Sequence, residues 1–326
     1  MTPRTRDMDL SIVIVAYNCR DLLADCLRSI EGAAGALSVE VIVVDNASAD
    51  GAIEMLVEEF PHVIAMASEE NLGFAGGTNL GMAAATGDVL MMLNPDTRVR
   101  PGALEHMVGF LRERREAGAV GPRIEGEDGR LQHTCHVFPS AWLTLIAQLG
   151  LHRLAPNTRT FGAYDMSWWA HDQPRRVDWL SGACLATRRA VWERVGPLDE
   201  GYFMYSEDVD WCFRLSRAGY ERWYLPDARV THLEAGSWGG ASRERILNAH
   251  RANFRFFRKN SGRASEVLVR LLVAVGGLVR GSFWTIFGPL IGDRPDVITD
   301  AGTHFRVVEL ATDFSDIAAR DPSGRG

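Results

Sequence analysis

With 326 residues the chain can form one large domain plus an appendage, or two modest domains, around a sizeable core. A formal net charge of -7 and a pI near 5.7 remove any overall electrostatic attraction to nucleic acid, so no nucleic-acid partner is expected. Five scattered cysteines with no Cys-x-x-Cys pair argue against a disulfide framework and a thiolate zinc site, and suit a reducing cytosol.

Met1 to Asp9 carries charge but no apolar run, so no secretory signal is read there and a cytoplasmic location is expected. Leu10 to Tyr17 is short, β-branched and almost wholly apolar, the pattern of a strand buried on both faces of a parallel sheet. Helical periodicity follows from Asp21 to Ile30, and a second strand from Val39 to Val44 ends at Asp45-Asn46. A third unit starts at Val63 and passes through the turn Asn71 to Gly77 into a helix; a fourth strand runs from Asp88 to Leu93. Strands alternating with helices predict right-handed crossovers and a doubly wound sheet with ligands at the carboxyl ends of its strands. Asn18, Asp45 and Asp96 fall at such ends.

From Ile124 to Arg176 the pattern loosens. The apolar stretch Trp142 to Leu151 and the aromatic cluster Tyr164 to Trp169 either shape an acceptor pocket or cover core surface. Regularity returns at Val177 to Ala186, followed by a helix from Arg188 to Val195, a segment from Asp199 to Tyr205, a helix from Glu207 to Ala218 and a strand from Arg222 to His232. Ser206-Glu207-Asp208 reads as a helix start, with a capping hydroxyl followed by acids that the helix dipole favours. That dipole is expected to keep Asp208 ionised.

Six collinear pieces carry a resemblance: Ser11 to Asn18, Val44 to Gly51, Asn71 to Asn79, Leu93 to Thr97, Asp178 to Ala183 and Val195 to Asp210. Together with Val230 to Ser237, they resemble glycosyltransferase family 2, above all its rhamnosyltransferase-like branch, over about residues 10 to 260. The resemblance implies an inverting enzyme of GT-A fold: an α/β, doubly wound, mainly parallel sheet with helices on both faces, plus a C-terminal helical appendage. The implied boundaries are a transferase domain over 1–250, with donor half 10–120 and acceptor half 121–250, a basic and apolar helical segment over 251–292, and an acidic, partly disordered tail over 293–326.

On the donor side the resemblance implies that Ala16, Tyr17, Asn18, Asp45, Asn71, Gly76, Asn79, Asn94, Asp96 and Gly182 bind the nucleotide sugar, with Asp45 accepting the imide hydrogen of a uracil or thymine base. A carboxylate suits that task because it only accepts; read without the family, Asp45 to Ser48 is a self-bonded turn. The glycine turn at Asn71 to Gly77 either points free N–H groups at an anion or packs tightly; it is neither a dinucleotide fingerprint nor a P-loop. Asn94-Pro95-Asp96 stands where the family has Asp-x-Asp, one carboxylate being replaced by an amide. Asp96 is therefore the expected ligand of a divalent cation, Mg2+ or Mn2+, with His232 as a second ligand.

Asp208 matches the family's general base, with Glu207 beside it, and Asp210 competes for the role if the helix register differs. Trp179, Asp199, Glu200 and Asp210 are the expected acceptor contacts. The loop Glu234 to Ser242, with three glycines around Trp238, is either a lid or simply flexible. Beyond it, Arg243, Arg245, Arg251, Arg255, Arg258, Lys259, Arg263 and Arg270 outnumber Glu244 and Glu266. Apolar runs follow from Val267 to Val279 and Gly281 to Ile291, broken by Arg280 and each short of the roughly 20 residues of a span. They read as an interfacial or hairpin-like contact with the inner membrane surface, the other reading being that these residues form a homodimer interface or cover the sheet.

The implied reaction is inverting, metal-assisted transfer of L-rhamnose from dTDP-L-rhamnose to a polyprenyl-diphosphate-linked or other envelope glycan, by an enzyme held peripherally on the cytoplasmic face of the membrane. The alternatives are another hexose from a UDP-sugar, or a non-catalytic nucleotide-binding membrane scaffold. A sugar nucleotidyltransferase would want a glycine- and arginine-rich loop where this chain has Ala16 to Arg20.

Overall fold

The computed structural model describes residues 8–233, 242–291 and 300–315. The expected lid, apart from Ser242, lies outside the described residues. In chain order the elements are β1 (Leu10–Ala16), α1 (Arg20–Ala33), β2 (Val39–Asp45), α2 (Ala52–Glu59), β3 (Ile64–Ala67), α3 (Gly73–Ala84), β4 (Val89–Leu93), β5 (Thr97–Val99), α4 (Ala103–Glu113) and β6 (Ala117–Glu125). Then come β7 (Leu131–Gln132), β8 (Cys135–His136), α5 (Ala141–Gln148), α6 (Leu151–Leu154), β9 (Arg175–Val177), β10 (Trp179–Leu180), β11 (Cys184–Arg188), α7 (Arg189–Val195), α8 (Glu207–Arg217) and β12 (Glu221–His232). The last helices are α9 (Arg243–Ser261), α10 (Arg263–Ile291) and α11 (Ala301–Thr312).

Two compact units result. One comprises residues 1–138 and 163–240, the other 139–162 and 241–326. This division differs from the sequence boundaries: the mid-chain stretch holding α5 and α6 belongs with the C-terminal helices, and α11 occupies part of the expected tail.

The first unit is built on one sheet in the order β3-β2-β1-β4-β11-β6-β12-β5, with β7 on β6 and β9 on β12. The strands β3, β2, β1 and β4 pair in parallel, as the βαβ alternation requires. β11 enters antiparallel between β4 and β6, because it returns from the irregular stretch instead of from a crossover helix. Alternation along β1 explains how both faces are covered. Leu10, Ile12 and Ile14 belong to the core cluster that includes Leu23 and Leu27 of α1 and Met107 of α4. Val13 and Val15 point the other way, against α3, where a Cβ on Gly81 would lie 2.4 Å from Val13 Cγ1 and one on Gly77 2.8 Å from Val15 Cγ1. The glycines of α3 therefore serve close helix–sheet approach.

In the helical unit, α9 and α11 both pack on α10. Arg270 is buried there: it pairs with Glu266 at 2.9 Å and donates to the carbonyls of Leu310 and Asp313. It is thus an internal tie for α11 and no part of a basic surface, contrary to the sequence reading. The two apolar runs likewise form one continuous helix. Arg280, which breaks the apolar run in the sequence, donates to the Gln148 carbonyl of α5 and so is engaged within the unit.

Candidate active site

The parallel strands deliver their carboxyl ends to one edge, and the loops there are tied together. Asn18 sits in the left-handed region at φ 48°; its N–H donates to Ser48 Oγ at 3.0 Å and its Oδ1 accepts from Ala49 N at 2.8 Å. Arg20 N donates to Asp50 Oδ2 at 2.8 Å. Asp45, only 3% exposed, accepts from Ser48 N through Oδ2, while its Oδ1 is buried without a hydrogen-bond partner among the described residues. The self-bonded turn and an acceptor left over for a ligand thus coexist in one carboxylate. Burial pushes the thiol of Cys19 up to about 12, with the nearby Asp50, Asp96 and Asp45 adding to the shift.

The turn before α3 offers less to an anion than expected. Gly73 N donates to Asn71 Oδ1 and Phe74 N to the Phe203 carbonyl, so the first two free donors of the helix are occupied. Asn79 is similarly engaged: its Oδ1 accepts from Leu198 N, and its Nδ2 donates to Leu198 O and Glu200 Oε1. This latch fixes the 198–200 loop on α3, and it uses the groups of Asn79 and Glu200 that were expected to meet donor and acceptor. Asp199 Oδ1 accepts from Gly201 N within the same loop.

Asp96 follows β4 and is 4% exposed. Its Oδ1 lies 3.1 Å from His232 Nε2 at the end of β12, yet has no hydrogen-bond partner among the described residues. The two side chains are neighbours because β12 runs antiparallel to β5, with His232 opposite Thr97, and Leu233 N donates to the Asp96 carbonyl at 2.9 Å. A buried oxygen donor facing an imidazole nitrogen without a bond between them fits a divalent cation. Among the described residues no group of three or more His, Cys, Asp or Glu is arranged to hold a metal.

A short backbone bridge joins that pair to the expected base. Asn94 N donates to the Ala183 carbonyl at 2.9 Å, and Gly182 N donates to Asp208 Oδ2 at 2.9 Å. A Cβ on Gly182 would lie 3.1 Å from Phe74 Cε1, so that ring would have to give by a few tenths of an ångström. Val209 N donates to Asp208 Oδ1 at 2.8 Å, so each carboxylate oxygen is oriented by a main-chain donor. The turn entering α8 places Tyr205 and Ser206 at φ 71° and 64°. Ser206 does not cap the helix through its side chain, because a capping residue needs extended backbone.

Burial opposes the ionisation of Asp208 that the helix dipole was expected to favour. Glu207 and Asp208 are both buried, and desolvation raises both carboxyls. Glu207 rises further, through Asp208 beside it, whereas the Gly182 and Val209 N–H groups and His136 oppose the rise at Asp208. Both carboxyls therefore resist ionisation, Glu207 the more strongly, while the two main-chain donors favour the charge on Asp208. Asp210 is 0% exposed and pairs with Arg214 at 3.0 Å, one helical turn on. It can be neither base nor acceptor contact.

Trp179 is buried as well; its indole N–H donates to the Val137 carbonyl and its ring stacks on His136 at 4.3 Å, which removes it as an open acceptor platform. Within the aromatic cluster, Trp169 stacks on His171 and meets Tyr224 edge-on, covering the sheet, while Tyr164 lies 5.0 Å from the His136 ring. Trp169 thus fits the covering reading of that cluster. Sequence reasoning missed His136 and Gln132, which sit on two-residue strands without periodicity.

Residues 11–168 match the family described as Glycosyl transferase family 2. The chain is 32% identical, over 262 residues, to an N-acetylglucosaminyl-diphospho-decaprenol L-rhamnosyltransferase of Mycobacterium tuberculosis, covering 76% of this chain and 83% of that relative. It is 26% identical over 169 residues to the rhamnosyltransferase WbbL of Escherichia coli, covering 49% and 60%. In fold it is similar to a mannosyltransferase from Pyrobaculum calidifontis, solved with GDP-mannose and Mn2+, at a TM-score of 0.57 and 15% identity over 96% of this chain and 88% of that one. The chain belongs to glycosyltransferase family 2 and is a glycosyltransferase of GT-A fold.

Proposed function

We propose that this glycosyltransferase transfers L-rhamnose, with inversion, from dTDP-L-rhamnose to a polyprenyl-diphosphate-linked glycan at the inner membrane surface. One observation carries the reading: a carboxylate oriented by two main-chain N–H groups is bridged, through Gly182-Ala183 and Asn94, to a buried carboxylate oxygen that has no hydrogen-bond partner among the described residues and lies beside an imidazole. The relative at 32% identity supports the choice of sugar and acceptor.

Asp45 Oδ1 accepts the imide N–H of the thymine. Asp96 and His232 would hold the divalent cation, which neutralises the charge that gathers on the departing nucleoside diphosphate. Asp208 takes the proton of the acceptor hydroxyl as its oxygen attacks the anomeric carbon from the face opposite the diphosphate. The new C–O bond forms while the bond to the diphosphate breaks, and the proton remains on Asp208. Protonated Glu207 keeps a second negative charge out of the pocket. Because burial raises Asp208, the acid limb of kcat/KM lies above the ordinary carboxylate range.

The helical unit supplies the membrane contact. Residues 263–288 form a helix long and apolar enough to cross a bilayer, with mean hydropathy 1.6 and 39% burial. Leu271, Val275, Leu278 and Ile286 are all about half or more exposed along one stripe, beside the arginine-rich α9.

A panel of nucleotide sugars tests the donor. Turnover should be greatest with dTDP-L-rhamnose, be abolished by chelation, and fall by about 10²–10⁴ in Asp208→Asn while nucleotide binding persists. A preference for any UDP-hexose would replace the donor, and full activity of Asp208→Asn would remove the base.

A further inference from the structure

Gln132 makes a two-point contact with His232 across β6. Its Nε2 donates to the His232 main-chain carbonyl at 3.1 Å, and its Oε1 lies 2.9 Å from His232 Nδ1. The first bond settles the orientation of the amide, because a carbonyl can only accept and the atom facing it must be the NH2 nitrogen. The atom facing the ring is then the amide oxygen, which also can only accept, so Nδ1 must carry the hydrogen. In the neutral imidazole this leaves Nε2 with a bare lone pair. That lone pair is what lies 3.1 Å from the buried Asp96 Oδ1, which has no hydrogen-bond partner among the described residues. Two acceptors held this close repel unless a cation stands between them.

We infer that Gln132 is a positioning residue that locks His232 in the Nδ1–H tautomer and so keeps the Asp96–His232 pair open to a divalent cation. The inference rests on reading that pair as the cation site. Without Gln132 the ring is free to move its hydrogen to Nε2 and donate it to Asp96 Oδ1. The acid and the imidazole would then satisfy each other, and the cation would have to break their hydrogen bond to enter.

Two measurements on the full chain separate the steps. Nitrogen-15 NMR of the histidine side chains at pH 8, without metal, reports the tautomer of His232. Titration with Mn2+ in the presence of dTDP, followed by electron paramagnetic resonance, reports affinity. Gln132→Met, which keeps the volume but neither hydrogen bond, should shift His232 toward the Nε2–H tautomer and weaken Mn2+ binding by roughly 10–100-fold. Gln132→Glu, which still accepts from Nδ1, should keep the Nδ1–H tautomer and stay within several-fold of the original affinity. An unchanged tautomer and Mn2+ affinity in Gln132→Met would overturn the inference while leaving the cation pair intact. Failure of the unsubstituted protein to bind Mn2+ would instead sink the pair, and Gln132's part with it.

Discussion

In the sheet unit many side chains withheld from water at the site are acidic, Asp45, Asp96, Glu207, Asp208 and Asp210 among them, whereas in the helical unit many side chains offered to water are apolar, from Trp142 and Leu149 to the stripe between Leu268 and Phe287. Each is costly in isolation. A buried carboxylate loses hydration, and exposed leucine orders water. The sheet unit offsets its cost with main-chain donors, as at Gly182 and Val209, and with a Glu207 carboxyl that resists ionisation. Among its described residues the helical unit offers no comparable cover for its stripe, which is the observation behind the proposed membrane contact.

The sharpest way to break the first half of this comparison is to exchange the roles of the two adjacent acids. Asp208→Asn should remove turnover, while Glu207→Gln, which imitates a carboxyl that already carries its proton, should stay within a few-fold of the original kcat. Stability gives a second readout. Burial raises the folded pKa of Glu207 above its ordinary value of 4.5, so its contribution is present at low pH and is lost as pH climbs from the unfolded toward the folded value. Glutamine has no proton to lose. The advantage of Glu207→Gln in urea unfolding should then grow by up to about 1.4 kcal/mol per pH unit across that window. A flat difference would mean that Glu207 is ionised in the native state.

Much of the donor half was legible in the sequence, and for a physical reason. Strands buried on both faces are written as β-branched runs, and the polar residues that end them, Asn18, Asp45 and Asp96, stand out against those runs. The acceptor half was less legible because its deciding interactions are long-range. No local pattern reveals that Asn79 latches the 198–200 loop, that Gln132 grips His232, or that α8 turns Asp208 toward Gly182 and Asp210 toward Arg214. Arg280 shows the same limit in the helical unit. In sequence it interrupts an apolar run; in the fold, α5 takes the guanidinium and the run continues.

The second half of the comparison is tested by charging the stripe. Leu271→Asp with Val275→Asp places two carboxylates at positions 54% and 61% exposed, where neither disturbs internal packing. Partition onto vesicles containing anionic lipid should fall by roughly tenfold or more, with turnover on a soluble acceptor unchanged. Flotation that survives the substitution, together with loss of a dimer in sedimentation, would make the stripe a subunit interface.

The smallest expected effect lies at the turn that delivers the acids. Ser206 adopts φ 64° without a side-chain bond to the helix it precedes, so its Cβ is strained and its hydroxyl gives no cap in return. Glycine adopts this backbone freely, but it also gives the unfolded chain more freedom, which offsets part of the gain. Ser206→Gly should therefore raise the unfolding free energy by about 1 kcal/mol at most. It should also lower kcat modestly, since the rigid turn holds Asp208 against the Gly182 N–H. The two signs together are diagnostic. A hydroxyl that capped α8 would make the substitution destabilising, and a turn with no part in aiming the carboxylate would leave kcat where it was.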